Sequence, residues 1–95
     1  MPFSKDRAFR IRGFILEKLK AMQGGSPEGF AALFYRIGEN VPEHYINQAI
    51  ASTQDCMWRK GKFRGHDAEA YFMGTLKRIC KERHVKTGVK SWDNT

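Results

Sequence analysis

Residues 26–38, SPEGFAALFYRIG, carry signals for the start, the buried face and the end of an α-helix. Ser26 is a suitable N-cap, Pro27 stands at the first helical position, and Glu28 places an acid near the positive end of the helix. The apolar residues follow the i, i+3, i+4, i+7 spacing of one helix face: Phe30, Leu33, Phe34 and Ile37. Gly38 is predicted to end this helix.

A first helix is predicted before this stretch. Ser4 can cap it, the helix runs to about Met22, and the pair Gly24-Gly25 stops it. Its apolar residues also recur at helical spacing: Ile11, Phe14, Ile15, Leu19 and Met22. A second helix therefore begins a few residues after the first one ends.

Two more helices are predicted after residue 38. The third begins at Pro42 and ends no later than Gly61, and the fourth begins at the N-cap Asp67 and closes at Gly88. Their predicted buried faces are Ile46, Ala49, Ile50, Thr53 and Met57 in the third helix, and Ala68, Phe72, Thr75, Leu76 and Ile79 in the fourth.

No stretch of the sequence alternates between apolar and polar residues over any length, so strands are not expected. The sequence predicts an all-α fold, a single small domain of four main helices with short loops. This domain is expected to span residues 1–88, and residues 89–95 are expected to form a frayed C-terminal tail.

Composition restricts the class of protein. Hydrophobic residues make up 41% of the 95 residues, which favours a folded domain over a disordered chain. No apolar run approaches the roughly 18 residues of a membrane span, and the first ten residues lack the apolar core of a secretory signal. Cys56 and Cys80 lie too far apart for a metal or redox motif, so two reduced thiols and a cytoplasmic location are expected, rather than a disulfide.

Signatures of enzymes are missing from the sequence. It contains no phosphate-binding glycine loop and no Gly-x-Ser-x-Gly elbow. The three histidines are too scattered to place a zinc ion with a cysteine. His66 beside Asp67 is interpreted as a helix start, and Asp67 and Glu69 are two residues apart, so they face different sides of a helix. We therefore expect no catalytic residues, no metal and no cofactor.

Positive charge is concentrated in one part of the chain. Residues 57–90 contain ten Lys or Arg and only three acids, which accounts for the entire formal net charge of +7. A basic loop that leads into a basic helix is typical of a surface that binds a polyanion, because clustered cations gain from counterion release. The alternative is a charged helix face that is merely solvated.

The candidate nucleic-acid-binding residues lie in that loop and on the fourth helix: Arg59, Lys60, Lys62, Arg64, Tyr71, Lys77, Arg78 and Lys81. The loop cations are interleaved with Trp58 and Phe63, and cations mixed with aromatic rings suit a surface that binds phosphates and stacks on bases. The alternative for these two aromatic residues is ordinary packing in the core.

The second half of the chain also carries a recognisable order of motifs. A helix start, Pro42-Glu43-His44-Tyr45-Ile46, leads through a short basic loop to a second helix. On that helix, Tyr71 matches the tyrosine of a Tyr-x-x-x-Ile-x-x-x-Trp pattern, whereas Thr75 and Ile79 stand where isoleucine and tryptophan are usual. In these features residues 42–88 resemble the C-terminal helical domain of DnaD-like replication initiation proteins.

The resemblance implies a small non-enzymatic module that binds DNA with low sequence specificity and helps recruit or load replication proteins such as a helicase. Similar helical domains occur in plasmid and phage replication proteins. Single-stranded or distorted DNA is favoured if the aromatic residues are exposed. The alternative function is a small interaction adaptor or host-factor inhibitor of phage or plasmid type, whose basic face docks an acidic protein.

Overall fold

A computed structural model of the chain describes residues 3–93. Four main helices and one short C-terminal helix follow one another: α1 (Lys5–Met22), α2 (Ala31–Asn40), α3 (Glu43–Lys60), α4 (Asp67–Glu82) and α5 (Lys90–Asp93). Residues 3–93 form no β-strand and contain only an isolated bridge between Gln23 and Phe63. The predicted all-α fold with four main helices is confirmed. None of the helices in this range combines the length and apolar character needed to cross a bilayer.

One continuous apolar core joins the four main helices. At its centre the rings of Phe34 and Phe72 meet edge to face, with their centroids 5.9 Å apart, so α2 and α4 share an aromatic contact. The largest buried side chains around this pair are Ile11, Ile15, Leu19, Met22, Ile37, Ile46 and Leu76. Each main helix therefore buries one face, as the apolar spacing predicted. Phe30 is the exception, because it lies in the turn before α2 and is 39% exposed.

The start of α1 matches its prediction, since the Ser4 hydroxyl accepts a hydrogen bond of 3.2 Å from the backbone N–H of Arg7. The segment before α2 is more complex than predicted. Ser26 caps a short 3-10 turn, Pro27–Phe30, and the α-helix follows directly from it. At α4 the predicted N-cap is wrong by one residue, because His66 occupies that position and Asp67 is already helical.

The prediction that Gly38 ends the second helix is wrong. Gly38 is buried inside α2, which continues to Asn40. A Cβ atom at this position would lie 2.9 Å from both the Cα and the carbonyl oxygen of Ala8. The glycine therefore permits a close approach between the backbones of α1 and α2.

Arg7 holds the C-terminal end of α2 against α1. Its guanidinium donates hydrogen bonds to the carbonyl oxygens of Gly38, at 2.6 Å, and Val41, at 2.9 Å. The last carbonyl groups of a helix have no partner within the helix. A cation that binds carbonyls at this end therefore stabilises α2. Arg7 therefore has a structural role.

The chain after α4 also differs from the prediction. The helix ends at Glu82, well before Gly88, and His84 adopts a left-handed backbone with φ 56°. In the predicted frayed tail, residues 90–93 form the short helix α5. Val85, Val89 and Trp92 pack against the core. Asn94 and Thr95 lie outside the described residues.

Candidate nucleic-acid interface

Four of the predicted binding residues lie at the junction of α3 and α4. Arg59 and Lys60 form the last turn of α3, and Lys62 and Arg64 follow in the loop 61–66. All four are exposed. Arg59 forms an ion pair of 3.2 Å with Asp55, which lies one turn earlier. The carboxylate partly offsets the attraction of Arg59 for an external anion. Lys60, Lys62 and Arg64 form no ion pair within residues 3–93.

The loop 61–66 is held against the end of α1 by backbone hydrogen bonds. The N–H of Phe63 donates to the carbonyl of Met22 at 2.9 Å, and the N–H of Gly25 donates to the carbonyl of Gly65 at 2.8 Å. These bonds fix the loop at two points, so its cations project from an anchored backbone.

A buried polar cluster beneath the loop reinforces this anchor. Glu69, only 1% exposed, accepts a hydrogen bond of 2.6 Å from Gln23 Nε2, while its backbone N–H donates to Gln23 Oε1 at 3.0 Å. His66 Nδ1 lies 2.5 Å from the same carboxylate. The carboxylate is therefore satisfied by side chains from both α1 and the loop, as burial requires. The sequence had indicated His66 only as a helix start.

The aromatic residues of this region have different environments. The side chain of Trp58 is 74% exposed, next in sequence to Arg59 and Lys60. Phe63 is half-buried and its ring lies 5.8 Å from that of Tyr71, which is also half-buried. Core packing thus accounts for much of Phe63, whereas Trp58 presents its ring to solvent, where a base can stack on it.

The three predicted cations of α4 do not form one face. Arg78 is exposed on the same side of the helix as Tyr71, since residues seven apart are nearly in register. Lys77 and Lys81 instead line a cavity beside the C-terminal half of α4. Along the helix axis, Lys77 lies about 15 Å from Asp67 at 1.5 Å per residue. The loop cations and the α4 cations therefore form two separate groups. The side of α4 that carries Tyr71 and Arg78 runs between them.

The cavity has a volume of about 360 Å³ and lies between α4 and the segment 83–93. Its basic lining comes from Lys77, Lys81 and Lys86, with His84 beside them. The remaining lining residues are Cys80, Val85, Thr87, Trp92 and Asp93. Sequence reasoning missed Lys86, His84 and Trp92 as site residues, because the fourth helix was expected to continue to Gly88 and a tail expected to fray offers no wall for a cavity.

Asp93 fixes the far wall of this cavity. One of its carboxylate oxygens accepts hydrogen bonds from the N–H and hydroxyl of Thr87, at 3.0 and 2.9 Å, and the other accepts from the N–H of Gly88 at 3.1 Å. Burial opposes ionisation, but these hydrogen bonds and the charge of Lys86 outweigh it and lower the pKa of Asp93. The carboxylate therefore holds α5 in place while it is ionised.

Acid should release α5 from this position. Because the pKa of Asp93 is lowered in the folded state, its stabilising effect is complete above the ordinary pKa near 3.9 and is lost as the pH falls through the folded value. We expect a change in Trp92 fluorescence below about pH 4 in a Trp58→Phe variant. Asp93→Asn should remove this transition; an identical acid transition in that variant would contradict the prediction.

Both cysteines are free and buried. Burial, followed by the charge of Asp93, raises the pKa of Cys80 to about 11, so the cavity is lined by a neutral thiol. Within residues 3–93, no three side chains of His, Cys, Asp or Glu gather into a group able to hold a metal ion.

A second surface on α1 and α2 was not anticipated from the sequence. Phe9 is 53% exposed, and its ring lies 5.1 Å from that of Tyr35. The guanidinium of Arg12 stacks over Phe9 at 4.9 Å, while its Nε is buried without a hydrogen-bond partner. Aromatic residues and arginine are enriched at protein interfaces, so this surface suits contact with a protein.

The protein was compared with protein-family models, with curated proteins and with solved structures. None of the three comparisons finds a match to this chain. The similarity to DnaD-like domains therefore stays a prediction from the motifs of residues 42–88.

Proposed function

We propose that this chain is a cytoplasmic, non-catalytic DNA-binding module that contacts the phosphate backbone and favours single-stranded or distorted DNA. One observation carries the proposal: the ring of Trp58 is 74% exposed near the end of α3, in the same segment of chain that carries the exposed cations of the α3–α4 junction. An exposed ring next to cations can stack on an unpaired base while the cations neutralise adjacent phosphates. Duplex DNA, whose bases are already stacked, offers this ring no partner.

The two groups of cations give the proposed site its length. The junction group contains Lys60, Lys62 and Arg64, and the α4 group contains Lys77, Arg78 and Lys81. The start of α4, which follows the junction loop directly, lies about 15 Å from Lys77 along the helix axis, so a strand must extend over several nucleotides to contact both groups. Lysines act as point charges toward phosphates, so little sequence readout is expected.

The resemblance to DnaD-like domains extends this proposal to replication initiation. In that role the module would hold DNA near an origin and help recruit or load a replication protein such as a helicase. This finer function rests on the motif order of residues 42–88 alone. The charge distribution and the exposed tryptophan support DNA binding independently of it.

Binding to a fluorescently labelled single strand should be strongly dependent on salt. If five or six cations neutralise phosphates, raising the salt from 50 to 200 mM should weaken binding by about 10²–10³-fold in a fluorescence-anisotropy titration. Trp58→Ala should weaken binding at a given salt concentration by about 1–3 kcal/mol, or about 5- to 150-fold, through loss of stacking. Phe9→Ala, which removes another exposed ring, is the matched control and should bind normally. Absence of binding at 50 mM salt would refute the proposal.

Charge reversal separates this function from the alternative adaptor function. Arg78→Glu with Lys81→Glu should reduce DNA affinity, whereas Lys5→Glu with Arg36→Glu makes the same change in net charge on α1 and α2. If the first pair abolishes binding to an acidic protein and leaves DNA affinity unchanged, the adaptor function is favoured. The exposed Phe9–Tyr35 surface is the observation that supports that second candidate.

A further inference from the structure

The lining of the cavity beside α4 carries an excess of positive charge. Lys77, Lys81 and Lys86 line it, and within residues 3–93 none of these lysines forms an ion pair. Asp93 is the one carboxylate of the lining, and its oxygens are already occupied by Thr87 and Gly88. Apart from His84, the lining carries three positive charges against one negative charge. A ligand with about two negative charges would balance it.

The lining also has an apolar part. Val85 and Trp92 contribute hydrocarbon and aromatic surface, and the thiol of Cys80 is neutral at physiological pH. A volume of about 360 Å³ lies in the range of small-molecule sites, which is roughly 300–1,000 Å³. The ligand that fits this combination has a dianionic group at one end and a flat, weakly polar group at the other.

A phosphate monoester carries about −1.5 to −2 charge at neutral pH and offers three acceptor oxygens. A phosphodiester within a strand carries a single charge, so it would leave the lysines less well neutralised. A nucleobase supplies the flat group. We propose that the cavity binds the terminal phosphorylated nucleotide of a DNA strand, with its phosphate on Lys77, Lys81 and Lys86 and its base against Val85 and Trp92. This inference rests on the proposed DNA-binding function and specifies the part of the strand that is held.

The cavity and the exposed Trp58 would then act on different parts of one strand. The junction group contacts phosphates and a base several nucleotides from the terminus, while the cavity receives the terminus itself. A strand with a phosphorylated end should therefore bind more tightly than the same strand ending in a hydroxyl group. This difference is not expected from a surface that binds the phosphate backbone alone.

The test compares short single strands of one sequence that carry a 5′-phosphate, a 3′-phosphate or hydroxyl groups only. At least one phosphorylated strand should bind about tenfold or more tightly than the hydroxyl-ended strand, the gain from a charge-assisted hydrogen bond. Lys86→Gln should remove this preference. The matched control is Lys90→Gln, since Lys90 is exposed in the same segment and lies outside the cavity lining.

A free nucleotide provides a second readout that does not depend on backbone binding. In a Trp58→Phe variant, Trp92 is the sole tryptophan, and thymidine monophosphate should change its fluorescence whereas thymidine should not. Equal affinities for phosphorylated and hydroxyl-ended strands, with no response of Trp92, would overturn the inference and leave the proposed function intact. A Trp92 response without binding of any strand would support the cavity and refute the proposed function.

Discussion

Gly38→Ala is expected to destabilise the fold by about 1–3 kcal/mol, although alanine is intrinsically the better helix former. The added methyl group would lie 2.9 Å from two backbone atoms of Ala8 and 3.1 Å from the Cβ of Ile11. Backbone atoms cannot rotate away as a flexible side chain can, so α1 and α2 must separate. Chemical denaturation, monitored by circular dichroism, measures the loss.

Gly74→Ala is the matched control for this substitution. Gly74 is also a helical glycine, but a Cβ atom at this position of α4 would meet no atom within 4 Å. The same substitution should therefore stabilise the protein by up to about 1 kcal/mol through helix propensity. The two glycines are predicted to respond with opposite signs. Equal changes in stability would show that the close approach of α1 and α2 does not restrict the size of the side chain at residue 38.

Phe72→Ala is expected to have the largest effect on stability, a loss of about 3–5 kcal/mol. Phe72 is fully buried and its ring contacts that of Phe34 edge to face at the centre of the core. Truncation removes this contact and leaves a cavity between α2 and α4. A domain of this size has only about 5–15 kcal/mol of stability in total, so the variant should unfold at a much lower urea concentration.

Trp58→Ala provides the comparison for Phe72→Ala. It removes a larger side chain, but 74% of that side chain is exposed, so the expected change is within about 0.5 kcal/mol. The comparison uses the midpoints and slopes of urea unfolding for both variants. A large loss of stability with Trp58→Ala, or a small loss with Phe72→Ala, would contradict the assignment of Phe72 to the core and of Trp58 to the surface.

Local sequence signals were sufficient to predict the four main helices. The Ser4 cap, the proline at residue 42 and the glycines at 24–25 and 61 act within one helical turn, so short stretches reveal them. The same reasoning failed at Gly38, because a glycine can serve a helix end or a close contact between helices. Only the position of Ala8, thirty residues earlier in the chain, distinguishes these two roles.

The candidate site was predictable in part for a related reason. Exposure of Lys60 and Arg78 follows from their charge and from the apolar face of their helices, and exposure of Lys62 and Arg64 follows from their charge and their place in a loop. The cavity does not follow from any local pattern, since its far wall forms only when Asp93 binds back to Thr87 and Gly88. The division of the α4 cations between two surfaces depends on that return of the chain.

The contact between Gln23 and Glu69 joins residues 46 positions apart in the sequence. A fragment of residues 42–88 would lose Gln23, one of the two side chains that hydrogen-bond the carboxylate of Glu69, together with the buried face of α1 that completes the core. The stretch with the DnaD-like motifs is therefore not an independent module. Its transfer into another protein, by recombination or by engineering, would require α1 and the glutamine that follows it to be transferred as well.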